Sequence, residues 1–258
     1  MRIARFTTGD DPRYGIVDED SLVVLGRDPL FAGFEPTGER VPLEDARLLA
    51  PVIPRSKVVC VGMNYAEHKS ELNFSNENAD RPLLFLKPNT SVIGPGDPIR
   101  IPPVEGRIVH EGELAVVIGR IAKQVRREDW RDYVFGYTIA NDISARDQMF
   151  ADGQWARAKG YDTFCPLGPW IETDLDWERG LEIRTYVDDE PRRHGNTKDM
   201  IFDIPTILEY ASDVWTLLPG DVIATGTPAG LGGFVHGQTV HIDIEGIGRL
   251  SNPALNRD

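Results

Sequence analysis

A mainly β, α+β architecture follows from three observations along this chain. Residues 238–245 alternate polar and apolar side chains with a period of two, and residues 181–187 do the same ahead of an Asp-Asp-Glu-Pro turn, the pattern of half-buried strands. Only residues 203–213 carry a full set of helix signals: Asp203 is placed to cap, Pro205 falls in the first turn, and apolar residues recur at helical spacing. Strands and helices do not alternate as in a doubly wound sheet. The Gly-rich run at 226–233 lacks the GxGxxG order and opens no helix, which excludes dinucleotide and P-loop binding.

The elements can be taken in order. Residues 2–6, 14–18 and 21–25 are short apolar strands separated by turns such as Gly-Asp-Asp-Pro, a small β-meander. Two prolines in residues 50–54 start an extended connection, so a boundary falls near residue 54: a small N-terminal β domain over 1–54 and a larger domain over 55–258. The strand at 57–62 opens the second domain and delivers the turn that carries His68. Residues 70–81 are polar and Asn-rich, which suits either a moving lid or a plain surface loop. Phe85-Leu86-Lys87-Pro88 ends a strand, and Lys87 could face a site there, although a surface lysine is the expected reading. Strands at 108–118 and 137–141 flank a helical turn around residues 127–134.

Composition narrows the function classes. The 258 residues are 41% hydrophobic, enough for one large core plus a small module. A net charge of −13 with no basic stripe argues against nucleic acid. Small anions are not excluded, because a bound dication supplies local positive charge. No apolar run is long enough to span a bilayer, so no membrane association is expected. Cys60 and Cys165, the only cysteines, lie in apolar surroundings and suit buried thiols in a reducing, cytoplasmic setting.

Glu111 and Glu113 lie two apart in His-Glu-Gly-Glu-Leu-Ala-Val-Val-Ile-Gly (110–119), so on a strand both project from one face. Asp142 follows the apolar stretch Tyr-Thr-Ile-Ala-Asn and is delivered to a loop at a strand end. Three carboxylates without paired His or Cys suit Mg2+ or Mn2+ rather than Zn2+. The competing reading is a solvated strand face. In residues 62–71, His68 and Glu71 lie three apart, so one helical turn sets an imidazole beside a carboxylate, the makings of a general base. A surface ion pair is the alternative there. His194, His236 and His241 have no such partner in sequence, and His110 is expected to be a satisfied strand histidine or a support for the neighbouring ligands.

Three segments together, Gly-Met-Asn-Tyr-Ala-Glu-His-Lys-Ser-Glu, His-Glu-Gly-Glu-Leu-Ala-Val-Val-Ile-Gly and Asn-Asp-Ile-Ser-Ala-Arg-Asp, resemble the fumarylacetoacetate hydrolase superfamily. Residues 158–169 and 224–232 occur in the order that family has them, so the resemblance spans roughly residues 55–255. It implies a β-roll catalytic domain, a homodimer or higher assembly, and Mg2+ or Mn2+ held by Glu111, Glu113 and Asp142. It also implies a His68/Glu71 dyad on a segment that closes over substrate, Lys159 as an active-site lysine and Thr227 as a substrate contact. Relatives commonly have a glutamine where Met149 stands, which leaves the adjacent Gln148 as a candidate substrate contact.

Substrates of that family share a 2-oxo or enolisable acid unit that can chelate a cation. The implied activity is C–C bond cleavage of a small β-keto or acylpyruvate-type acid, by hydrolysis or decarboxylation, through a metal-stabilised enolate, with oxaloacetate a leading candidate. A 2-hydroxyhepta-2,4-diene-1,7-dioate isomerase is the alternative, and a noncatalytic metabolite-binding member is a third possibility. Hydrolysis, decarboxylation and isomerisation use one constellation, so motif and fold do not choose between them, while the retained His68, Glu71 and Lys159 count against the noncatalytic reading.

Overall fold

The computed structural model describes residues 1–67, 80–230 and 232–257. Its strands include β1 (Arg2–Thr7), β2 (Arg13–Asp18), β3 (Ser21–Leu25), β4 (Pro36–Pro42), β5 (Val58–Gly62), β6 (Leu83–Lys87) and β7 (Gly112–Ile118). They continue with β8 (Val134–Asn141), β9 (Cys165–Glu172), β10 (Glu182–Val187), β11 (Glu190–Asn196), β12 (Val222–Ala224), β13 (Thr239–Ile244) and β14 (Gly248–Asn256). Strands predominate and helices are few and short, as patterning indicates. The longest helix described, Ile204–Val214, starts where its signals place it: the Asp203 carboxylate accepts from the Thr206 N–H at 3.0 Å.

The first four strands pair consecutively and antiparallel, a meander. β1 also pairs with β9, so the N-terminal strands extend the large sheet, whose order is β4-β3-β2-β1-β9-β8-β7-β12-β5-β6. A second sheet, β11-β10-β13-β14, is completed by the short strand Ile99–Ile101.

Alternation along β7 explains how the layers stack. Leu114, Val116 and Ile118 point to one side, where Ile183, Ile242 and Ile244 of the second sheet and Ile207, Leu208 and Ala211 of the long helix meet them. Ala115 and Val117 point to the other, joining Cys60, Ala140, Cys165 and Leu167 in a separate cluster. Central strands buried on both faces account for the continuous Val/Ile runs in the sequence. Both cysteines are free and buried, and burial pushes the Cys165 thiol up to about 12 and that of Cys60 well above its ordinary value, so both stay protonated packing groups. No helix among the described residues is long and apolar enough to cross a membrane. Glu111 and Glu113 share the parity of Ala115, which brings their side chains out at one end of the second face.

Candidate active site

Strand register assembles the acidic cluster. β7 and β8 pair with Gly112 opposite Asn141 and Glu113 opposite Ala140. The ladder continues one rung beyond the strands, where the Asp142 N–H donates to the Glu111 carbonyl at 2.9 Å. Residues opposite one another in an antiparallel pair project from the same face, so Asp142 falls beside Glu111, with Glu113 two residues along. The three carboxylates are buried and offer ligand atoms that all lie within 4.8 Å of one another. Asn141 steadies the turn: its side-chain carbonyl accepts from the Glu111 N–H at 3.0 Å.

Such crowding has an electrostatic signature. Burial, with the Asp142 and Glu111 carboxylates beside it, pushes Glu113 well above the ordinary carboxylate range; Lys159 and the Gly226 N–H, which donates to Oε2 at 2.7 Å, oppose the shift. Burial works against the charge of Lys159, but Asp142 and Glu111 outweigh it and raise its pKa above the usual lysine value. The Lys159 ammonium donates to Glu111 Oε2 at 2.7 Å and to Asp142 Oδ2. It also lies 4.7 Å from the Phe85 ring centroid and 5.9 Å from that of Trp155, two rings that meet edge to face.

Lys87 overturns its sequence expectation. It is fully buried rather than at the surface, and its ammonium donates to Asp142 Oδ1 at 2.6 Å. Desolvating a lysine is tolerated only against a carboxylate, and Asp142 provides one. Among the described residues, three carboxylates face two ammoniums, one formal negative charge in excess when all three are ionised. An all-oxygen, buried donor set fits a hard dication such as Mg2+ or Mn2+, which Glu111, Glu113 and Asp142 would hold.

The cavity around the carboxylates is walled by Phe85, Met149, Trp155, Lys159 and Thr227. Trp155 lies flush against Gly62, where a Cβ would sit 2.6 Å from its ring. Gly226, at φ 98, is equally constrained, since a Cβ would meet Asn64 at 2.7 Å. Thr227 donates its hydroxyl to the Gly112 carbonyl at 3.0 Å and lines the cavity. Gln148 is instead hydrogen-bonded to the Tyr161 hydroxyl at 2.9 Å, and Met149 lines the cavity beside it.

His110 is not a satisfied strand histidine. It is fully buried, neither ring nitrogen has a hydrogen-bond partner among the described residues, and burial together with Arg193 lowers its pKa to about 3, so it is neutral. His68, Glu71 and nearly all of the 70–81 segment lie outside the described residues. Phe85, Asn141, Met149 and Trp155 are parts of the site that the sequence does not point to, and Lys87 is one for which the sequence favours the surface. Alternation along β6 pairs Lys87 with Phe85 on one face but does not say what that face meets.

Residues 57–254 match the family described as fumarylacetoacetate (FAA) hydrolase, C-terminal, and residues 1–51 match one described as Rv2993c-like, N-terminal. Oxaloacetate tautomerase YisK of Bacillus subtilis (strain 168) is 40% identical, over 81% of this chain and 73% of its own length. Among solved structures, 5-carboxymethyl-2-hydroxymuconate delta-isomerase from Mycobacterium smegmatis is 46% identical, with a TM-score of 0.92 over 100% of both chains. Maleylpyruvate hydrolase from Sphingobium sp. SYK-6, solved with manganese (II) ion and pyruvate, is 34% identical, with a TM-score of 0.82 over 100% of both chains.

Proposed function

The chain belongs to the fumarylacetoacetate hydrolase family, and on that footing we propose that it is a Mg2+- or Mn2+-dependent enzyme that enolises a small 2-oxo acid, with oxaloacetate the leading candidate. The observation that carries this reading is the convergence of Glu111, Glu113 and Asp142, all buried, around one point beside the Lys159 ammonium. When bound, the ion supplies Lewis-acid polarisation of the 2-oxo group. Lys159 places a second positive charge next to the oxygen that gains charge on enolisation. Phe85 and Trp155 displace water from one side of that ammonium, which strengthens its field. Thr227 fixes the substrate side of the cavity. His68, oriented by Glu71, is assigned the transfer of the proton to and from carbon.

Proton loss, CO2 loss and acyl release all leave an enolate, so the same residues support each. Sequence alone ranks C–C cleavage first. Likeness to a tautomerase at 40% identity and to an isomerase at 46% favours proton transfer without cleavage. The second reading, hydrolysis of an acylpyruvate or decarboxylation of oxaloacetate, draws on the 34% identical hydrolase. Assembly into a homodimer or larger oligomer belongs to the same proposal.

A direct test mixes enol oxaloacetate with the purified protein and Mn2+, following enol absorbance and pyruvate together. Enolisation predicts faster enol decay without matching pyruvate, lost on chelation and restored by Mn2+ or Mg2+. Pyruvate appearing in step with substrate loss would move the chain to the second reading. No turnover of oxaloacetate, acylpyruvates or the heptadienedioate would leave a metabolite-binding protein. His68→Ala should slow hydrolysis of any acylpyruvate that is turned over more than decarboxylation of oxaloacetate, and equal losses would assign His68 a proton transfer common to both.

A further inference from the structure

Lys87 ends β6, the strand at the edge of the large sheet, yet none of its side chain is exposed. Alternation turns Phe85 and Lys87 inward while Leu86 stays exposed. The Lys87 ammonium donates to Asp142 Oδ1 at 2.6 Å and to the carbonyl of the adjoining residue, Ile143, at 3.0 Å. Lys159 occupies the other oxygen, Oδ2, and reaches Glu111 Oε2 at 2.7 Å. Two lysines therefore divide one carboxylate, and their second contacts differ. That of Lys159 is another carboxylate of the cluster, a group a cation would claim. That of Lys87 is main chain, so the ammonium ties the Asp142 side chain to the carbonyl of the next residue, Ile143, and restrains the carboxylate from rotating. The reaction proposed above gives Lys87 no task.

On the metal-centre reading, we propose that Lys87 is a positioning residue that pins Oδ1 of Asp142 against the main chain and so fixes how that carboxylate faces Glu111 and Glu113. Lys87 acts through Asp142 and does not touch substrate. A different role, simple counter-charge, predicts the opposite result. A buried ammonium repels a dication, so deleting a pure counter-charge tightens Mn2+ binding. Deleting the group that orients a ligand weakens it, by about tenfold or more.

The experiment is calorimetric titration of the full chain with Mn2+, with the electron paramagnetic resonance spectrum of the bound ion, for the wild type, Lys87→Met and Lys87→Arg. Lys87→Met should bind Mn2+ about tenfold more weakly, with an altered spectrum because the Asp142 carboxylate is then no longer pinned in one orientation. Equal or tighter binding by a folded Lys87→Met protein overturns the positioning role. If circular dichroism shows that variant unfolded, Lys87→Arg decides: it keeps the charge and changes the geometry, so weaker binding with an altered spectrum supports positioning and unchanged binding overturns it. A wild type that binds no Mn2+ refutes the metal centre itself, which is a separate failure from normal wild-type binding with an indifferent variant.

Discussion

Asp221 and Glu113 stand at opposite ends of one strand pair, β7 and β12, and both are buried, yet they are provisioned in opposite ways. Asp221 accepts from the N–H groups of Ser56, Lys57 and Leu218, from the Ser56 hydroxyl and from the Lys57 ammonium. Burial would raise its pKa, but the donors of Leu218, Ser56 and Lys57 outweigh burial and hold it below the ordinary value. Glu113 has the Gly226 N–H and, beside it, two more carboxylates, and is pushed well above the ordinary range. Burial alone therefore does not mark a functional acid. A carboxylate saturated with donors is finished structure, whereas one short of donors and crowded by its own kind is a site that wants a cation.

The contrast can be broken most directly at Glu113. Glu113→Ala should reduce metal-dependent turnover to background and remove Mn2+ binding, while the melting temperature of the metal-free protein stays level or rises. Normal Mn2+ affinity in that variant, measured by calorimetry, would end the ligand assignment. Asp221→Ala should do the reverse, lowering stability in urea unfolding by about 3–5 kcal/mol because Lys57 and several main-chain donors lose their partner, with Mn2+ affinity unchanged.

Acidity separates the pair a second way. The folded pKa of Asp221 is depressed, so its contribution is present above the ordinary carboxylate range and is lost as pH falls through the depressed value. The folded pKa of Glu113 is raised, so its contribution to the metal-free protein is present at low pH and is lost as pH rises through the raised value. Urea midpoints of the metal-free protein across pH should carry both slopes; Glu113→Gln should remove the second and Asp221→Asn the first. The smallest effect belongs to Lys57→Met, about 1 kcal/mol, since Lys57 is 17% exposed and Asp221 keeps its main-chain donors.

What could be read from residues was local. The period of two in Thr239–Ile244, the cap at Asp203 and the shared face of Glu111 and Glu113 depend on a few neighbours, and each takes the form its pattern implies. Lys87 could not be placed that way, because whether a strand-end lysine is solvated depends on what faces it, and here that is Asp142, far along the chain. Gln148 and Met149 show the same limit: adjacent on a short helix, they diverge toward Tyr161 and the cavity according to packing that no local pattern contains.

Residue order thus settled the strand-rich architecture and which acidic side chains share a face, since periodicity and side-chain chemistry travel with each segment. The three-dimensional arrangement decided which of the described charges meet there, because register joins Glu111 to Asp142 and folding carries Lys87 and Lys159 onto the same carboxylate. Coulomb energy falls with distance in space and is indifferent to separation along the chain, so a balance of charges becomes visible only once the strands are paired.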